Sequence, residues 1–298
     1  MNLSIIIVSF NTKNLLLDCI TSIEKTVKKN TYEVIVVDNV STDGTREEIE
    51  KLSKRKKYLK VILNKENEGF SKANNRGVRL SSGKYILFLN PDMIMYDDTI
   101  DGMVEFVEKN EKAGAATCFL SLPNGKLDDA AHRGFPTPWR AFSHFSGLSR
   151  IFPKSKLFSG YSLSHMDITK THEIEALAGA FMLLPRVAGD EVNWWDEDYF
   201  WYGEDLDFCY RLKKKGWKIY FVPKYKALHF KGASGGIKKT TKNLTTASED
   251  TKRKAQQARF DAMRIFYRKH YNDKYPKFIS GLVLKGIDIK HFVSKVKS

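Results

Sequence analysis

Carboxylates stand at several points of this chain where an enzyme could use them. Asp92 closes the run Tyr85-Ile86-Leu87-Phe88-Leu89-Asn90-Pro91-Asp92. An apolar run this short, rich in aromatic and branched residues and flanked by Ser-Ser-Gly and Pro, favours a buried strand over a helix. Pro91 cannot continue a central ladder, so the chain leaves the sheet there. Asp92 is then held just outside the carboxyl end of a strand, the edge at which open α/β sheets bind ligands. A carboxylate there can hold a hard divalent cation against a phosphate. Asn, Pro and Asp are also ordinary turn formers, so a plain turn is the competing reading. Glu204 and Asp205 open a helical pattern whose apolar positions are Leu206, Phe208, Cys209 and Leu212, with Gly216 as its stop. Acidic residues in a first turn complement the helix dipole. Alternatively one of them is a base beside an aromatic wall of Tyr199, Phe200, Trp201 and Tyr202, which would exclude water and could stack a sugar face.

The elements that must position these groups alternate. Strand-length apolar runs fall at 3–10, 32–37, 59–63 and 85–89, with helical patterns between them, one of them starting near Ser71. That alternation predicts a parallel sheet covered by helices. Asn11, Asp38, Asn39, Asn67 and Asp92 cluster where strands end, so separate strands donate them to one rim. The rim has the pattern of a nucleotide site, although each residue alone could be a cap. Asp38 can accept from a pyrimidine ring N–H, and backbone around Ser9-Phe10-Asn11 can flank the base. Gly69 lets the backbone approach closely, and the helix near Ser71 offers N–H groups to phosphate. The chain has neither Gly-x-Gly-x-x-Gly nor Gly-Lys-Ser/Thr, which excludes an NAD fingerprint and a Walker loop.

Further on, 99–109 reads as a helix and 113–120 as a strand. The stretch from Asp128 to Trp139 is polar, irregular and aromatic, and no period emerges before about 171. Irregular stretches this long are usually functional. Lys154, Lys156, Phe158, Tyr161 and His165 could line an acceptor groove or form a solvated face. Residues 173–186 read as one strand of small residues, and 218–222 as another leading to His229. Residues 234–250 are rich in Gly, Ser, Thr, Lys and Asn and predict a mobile loop, placed to act as a lid. A helix over 252–271 follows, ended by Pro276, and then an apolar segment with interspersed lysines. From Lys254 on there are eleven Lys or Arg against three Asp. Such a tail suits an anionic membrane surface or packs back on the domain with its lysines in water.

The 298 residues, 42% hydrophobic and 12% aromatic, suffice for one large α/β domain. A net charge of +15 implies an anionic partner, which charge alone does not choose. Cys19, Cys118 and Cys209 are odd in number and widely spaced, which argues against zinc and a disulfide framework. The opening apolar run is too short for a signal peptide, and no run reaches the roughly 18–20 residues of a membrane span. The expectation is a reduced, cytoplasmic protein, soluble or peripheral on the cytoplasmic face of the membrane.

In their order, Ile7-Val8-Ser9-Phe10-Asn11, Val36-Val37-Asp38-Asn39, Asn67-Glu68-Gly69-Phe70, Ala73-Asn74-Asn75-Arg76-Gly77 and Leu89-Asn90-Pro91-Asp92 resemble the family 2 inverting glycosyltransferases of the GT-A fold, in particular rhamnosyltransferase-like members. The resemblance continues through Arg133-Gly134-Phe135-Pro136-Thr137-Pro138, Gly179-Ala180-Phe181-Met182, Gly203-Glu204-Asp205-Leu206-Asp207 and His229, to about residue 235. It implies an α/β GT-A domain over 1–235, with a nucleotide-sugar half at 1–98 and an acceptor half at 99–235. A flexible loop at 236–250 and a basic amphipathic helical extension at 251–298 complete the chain. It implies that Ser9, Phe10, Asn11, Asp38, Asn39, Asn67, Gly69, Phe70, Asn74, Asn90 and Pro91 hold the donor. Asp92 and His229 would hold Mg²⁺ or Mn²⁺, with Asn90 a weaker ligand where the family's Asp-x-Asp begins. Asp205, with Glu204 as fallback, would be the base, and Arg133, Trp201 and Tyr202 would meet the acceptor. The implied reaction moves a hexose, first of all rhamnose from dTDP-rhamnose, to a lipid-linked or polysaccharide acceptor of cell-surface glycan synthesis. A UDP-sugar donor is the nearest rival. A silent nucleotide-sugar binder would leave the acidic pair unused. Nucleic acid is not expected, because the basic residues gather in the tail without a base-stacking pattern.

Overall fold

The computed structural model describes residues 1–232 and 248–296. Strands β1 (Leu3–Ser9), β2 (Tyr32–Asp38), β3 (Leu59–Leu63) and β4 (Tyr85–Leu89) alternate with helices α1 (Lys13–Thr26), α2 (Thr45–Arg55) and α3 (Gly69–Leu80). These strands pair parallel in the order β3-β2-β1-β4. Their side chains alternate between two cores: Ile5, Ile7, Val34, Val36 and Leu87 face one, and Ile6, Ile35, Val37, Ile86 and Phe88 the other. Burial on both faces is why these strands read as unbroken apolar runs.

Next come β5 (Met93–Met95), α4 (Thr99–Lys109), β6 (Ala113–Ser121), α5 (Pro138–Phe145), α6 (Leu148–Ile151), β7 (His172–Ile174), β8 (Phe181–Pro185), α7 (Arg186–Glu191), α8 (Glu204–Lys214) and β9 (Lys218–His229). The expected parallel sheet is mixed. β8 runs antiparallel to β4, and β5 and β7 antiparallel to β9, while β6 and β9 are parallel. The single strand expected over 173–186 is two strands, β7 and β8. They lie in different parts of the sheet, joined by a segment outside any strand. The short β5 carries too few residues to show a period, yet it registers Met93 opposite His229. The irregular stretch after Asp128 contains two short helices, α5 and α6. Helix α3 starts at Gly69 rather than near Ser71.

Two helices close the chain, α9 (Glu249–His270) and α10 (Lys277–Val296). The expected lid over 234–250 falls mainly outside the described residues, and Glu249 and Asp250 already belong to α9. Helix α9 is bound to α8 through Asp207, almost fully buried, which accepts from Arg211 Nε at 2.6 Å and lies 2.6 Å from His270 Nε2. A further guanidinium nitrogen of Arg211 donates to the Trp194 carbonyl at 2.8 Å. Removing one partner of such a buried network leaves uncompensated charge. Asp207→Ala is therefore expected to cost about 3 kcal/mol or more, measured by urea unfolding.

Candidate active site

Main-chain ends bring the rim together. The β1 end is fixed by Ser9 Oγ, 2.9 Å from Thr12 Oγ1. Asn11 is left-handed (φ 53°), its N–H donating to Ser41 Oγ at 2.9 Å and its side-chain oxygen accepting from Thr42 N–H at 2.7 Å. Phe10, half-buried, stands between them. Asp38 at the β2 end is fully buried; Oδ2 accepts from Ser41 N–H at 3.0 Å with Arg46 Nε 3.6 Å away, whereas Oδ1 has no hydrogen-bond partner. A buried carboxylate oxygen without a partner is costly, and a ring N–H from a bound base would satisfy it.

The asparagines act differently. Asn39 donates to the Gly69 carbonyl at 3.0 Å and accepts from Asn64 at 2.7 Å. Asn67 accepts from Gly69 N–H at 3.0 Å, and Asn74 donates to the Phe70 carbonyl at 2.9 Å. All three shape the start of α3. Phe70 N–H donates to the Phe200 carbonyl at 2.8 Å, so two of the first helix amides are already engaged. Gly69 has φ +80°, and a Cβ there would lie 2.5 Å from the Phe200 carbonyl oxygen.

At the β4 end, Asn90 N–H donates to the Ala180 carbonyl at 3.0 Å, and Pro91 and Asp92 are buried. The β5–β9 pairing sets His229 Nε2 3.4 Å from Asp92 Oδ1. The other ring nitrogen, Nδ1, lies 2.8 Å from Asp128 Oδ2, and Lys231 bonds the second Asp128 oxygen. Burial alone would lower the His229 pKa, but the Asp92 charge and hydrogen bonds to Asp128 and Asp92 outweigh it and lift it to about 9. Burial opposes the Asp128 charge too, yet His229 and Lys231 hold that carboxyl well below its usual range. Asp128 and Lys231 were not among the residues singled out from sequence. Asp128 lies in the irregular stretch, and only non-local strand pairing brings it to His229.

Among the described residues no group of three or more His, Cys, Asp or Glu is gathered as a metal cage. Asp92 and His229 fit a two-donor site once His229 gives up its Nε2 proton, an exchange that a cation beside Asp92 would drive: a carboxylate faces that nitrogen, and a second carboxylate orients the other. Magnesium-type ions commonly take one or two protein ligands and complete their shell with phosphate and water.

Helix α8 brings the acidic pair. Asp205 Oδ2 accepts from an Arg133 guanidinium nitrogen at 2.7 Å and Oδ1 from Leu206 N–H at 2.7 Å. Arg133 also donates to the Leu177 carbonyl at 3.1 Å. Glu204 is buried, with Oε2 lacking a hydrogen-bond partner. Burial, then repulsion from Asp205, pushes its carboxyl up to about 8. Trp201 and Tyr202 are parallel, with ring centroids 5.5 Å apart. They line a cleft of about 980 Å³ whose other wall includes Gln256, Gln257 and Asp261 of α9. Lys154 and Lys156 lie on the surface, and Ser159 Oγ is 2.8 Å from His165 Nδ1.

A mixed nine-stranded sheet with a polar rim along the ends of β1, β2 and β4, and an acidic pair opening α8, defines the GT-A class of fold. The chain belongs to glycosyl transferase family 2: that family's profile matches residues 4–168, and the glycosyl transferase family group 2 profile matches 138–254. It is 32% identical over 171 residues to rhamnosyltransferase WbbL of Escherichia coli K12, covering 54% of this chain and 61% of that protein. It is 28% identical over 214 residues to N-acetylglucosaminyl-diphospho-decaprenol L-rhamnosyltransferase of Mycobacterium tuberculosis, covering 68% of each. Among solved structures, GalNAc-T7 with UDP, GalNAc and Mn²⁺ superposes with a TM-score of 0.60 at 18% identity, over 77% of this chain and 44% of that one. The matched regions thus span about six- to seven-tenths of the two relatives' lengths.

Buried Glu204 generates a stability prediction. An acid whose folded pKa is raised from 4.5 to about 8 stabilises the fold fully below its unfolded value and loses that contribution as pH rises through the folded one. Glu204→Gln cannot ionise. It is expected to match the parent near about pH 4 and to be more stable by about 2–4 kcal/mol near about pH 9, measured by urea unfolding at both values. Gly69→Ala should force the α3 start away from Phe200 and lower stability by on the order of 1–3 kcal/mol, measured by urea unfolding.

Proposed function

We propose that this chain transfers a hexose, L-rhamnose from dTDP-rhamnose before others, to a lipid-linked or polysaccharide acceptor with inversion at the anomeric carbon. The observation that carries the reading is the buried Asp38 Oδ1, left without a partner at the rim. Thymine and uracil both offer the ring N–H it would accept, so a UDP-hexose is the second donor reading. The two rhamnosyltransferase relatives favour the first, and UDP in the GalNAc-T7 structure favours the second. The lipid-linked acceptor is suggested by the diphospho-decaprenol in the name of the mycobacterial relative.

Inverting transfer needs an acceptor hydroxyl on the face opposite the leaving group and a base to take its proton. Asp205 suits the base. It is paired with Arg133, and the Leu206 amide fixes its orientation. Glu204, pushed up to about 8 by burial and by the Asp205 charge, holds its proton more tightly and is the fallback base. Trp201 and Tyr202 would present flat faces to a sugar ring, with Gln256 and Gln257 opposite as hydrogen-bonding groups. Asp92 and His229 would hold Mg²⁺ or Mn²⁺, whose charge would stabilise the departing diphosphate. Asp128 and Lys231 keep His229 oriented for that task.

Asp205→Asn is expected to bind nucleotide like the parent and to lower transfer by about two or more orders of magnitude. Transfer retained in that variant would move the base to Glu204. In thermal unfolding, dTDP or UDP with Mn²⁺ at about 100 times the dissociation constant should add roughly 2.7 kcal/mol of stability. GDP and CMP should add little, and Asp38→Ala should abolish the dTDP effect. No shift with any nucleotide would overturn the donor reading.

A further inference from the structure

Helix α10 turns an apolar stripe to solvent. Phe278, Leu282, Ile289 and Phe292 are 68%, 66%, 56% and 69% exposed. Their spacing puts them within one side of a helix, the side that also carries exposed Lys285. The opposite side, with buried Ser280 and His291, faces the protein, and the His291 ring stacks on Phe260 of α9 at 4.5 Å. A second exposed apolar group stands on α5 and α6, where Phe142, Phe145 and Ile151 are 57%, 51% and 67% exposed. The two groups meet, because the Lys290 ammonium of α10 lies over the Phe145 ring. Isolated exposed apolar residues need no explanation, but two groups joined into one face mark an interaction site.

We infer that α10 and the α5–α6 segment together form one face that seats on an anionic lipid surface. Charge selects this occupant over a second copy of the chain. Exposed Lys277 and Lys285 on α10, and exposed Arg150, Lys154 and Lys156 beside α6, surround the apolar side chains. Within α10 the one acidic residue, Asp288, is paired with Arg264 of α9. Two copies meeting through this face would set like charges against each other, whereas anionic headgroups would neutralise them. Large apolar side chains with interleaved lysines are the composition of a helix lying in the headgroup layer. No described helix is long and apolar enough to cross a membrane, so the contact is with the surface. The second half of the face is what the tail alone does not supply: the α5–α6 segment belongs to the catalytic domain and fixes its orientation on the lipid.

The test is vesicle co-sedimentation of the full chain without donor or acceptor, so its outcome is independent of the transferase reading. Vesicles would be phosphatidylcholine alone, or phosphatidylcholine with about one-third phosphatidylglycerol. The parent is expected to bind the anionic vesicles at least tenfold more tightly than the neutral ones, since each lysine near such a surface contributes about fivefold. Raising salt should weaken that binding. Phe278→Glu with Phe292→Glu, and separately Phe142→Glu with Ile151→Glu, should each lower it about tenfold or more, with circular dichroism and the thermal unfolding midpoint unchanged. Equal binding to both vesicles, binding to neither, or undiminished binding of the Phe142/Ile151 variant would overturn the inference. So would a dimer in light scattering that the same substitutions dissociate.

Discussion

One imidazole held between two buried carboxylates ties the polar rim to the rest of the sheet. His229 sits between Asp92, at the end of the first four strands, and Asp128, in the irregular stretch beyond β6. Neither carboxylate could be buried ionised without a compensating charge. Lys231 supplies a second, so positive and negative groups alternate along the cluster. What makes this possible is β9, a twelve-residue strand that pairs with β6, β7 and β5 along its length. Its last pairing, three residues long, sets the separation of Asp92 and His229.

A second buried cluster does the same for the acidic pair. Asp207 lies on α8 two residues beyond Asp205; its contact with His270 ties α8 to α9, while Arg211, one turn along α8, holds its other oxygen. Arg133 fixes Asp205 from the other side. Asp205 and its helix are therefore positioned by charge pairs from two other stretches of chain, around Arg133 and around His270. That leaves little freedom in a group whose lone-pair direction decides whether it can accept a proton.

The elements built from local information are legible in the sequence. β3, β4 and α4 have the expected ends, and the rim residues Asn11, Asp38 and Asp92 lie at strand ends as the apolar runs implied. What the residues could not reveal was pairing. β5 has three residues and no resolvable period, and the antiparallel β8 is indistinguishable by composition from a parallel strand. The single strand read over 173–186 split because small residues such as Ala176 to Ala180 are compatible with any close-packed backbone, not only with a strand. Asn39, Asn67 and Asn74 have the residue type of ligand contacts, but their bonds run to backbone around Gly69 and Phe70 and to Asn64. Type and position were readable; the direction in which a side-chain amide spends its hydrogen bonds was not.

The hydrogen bond from Phe70 N–H to the Phe200 carbonyl joins the start of α3 to the aromatic loop before Glu204. It uses main-chain atoms only, and Gly69 leaves room for it where any side chain would collide. Descendants of this chain could therefore exchange the rings at 201 and 202 without moving the start of α3. An insertion or deletion near 200 would be felt on both sides at once. The loop is free to diversify in sequence and constrained in length, so one backbone frame can carry many side-chain surfaces.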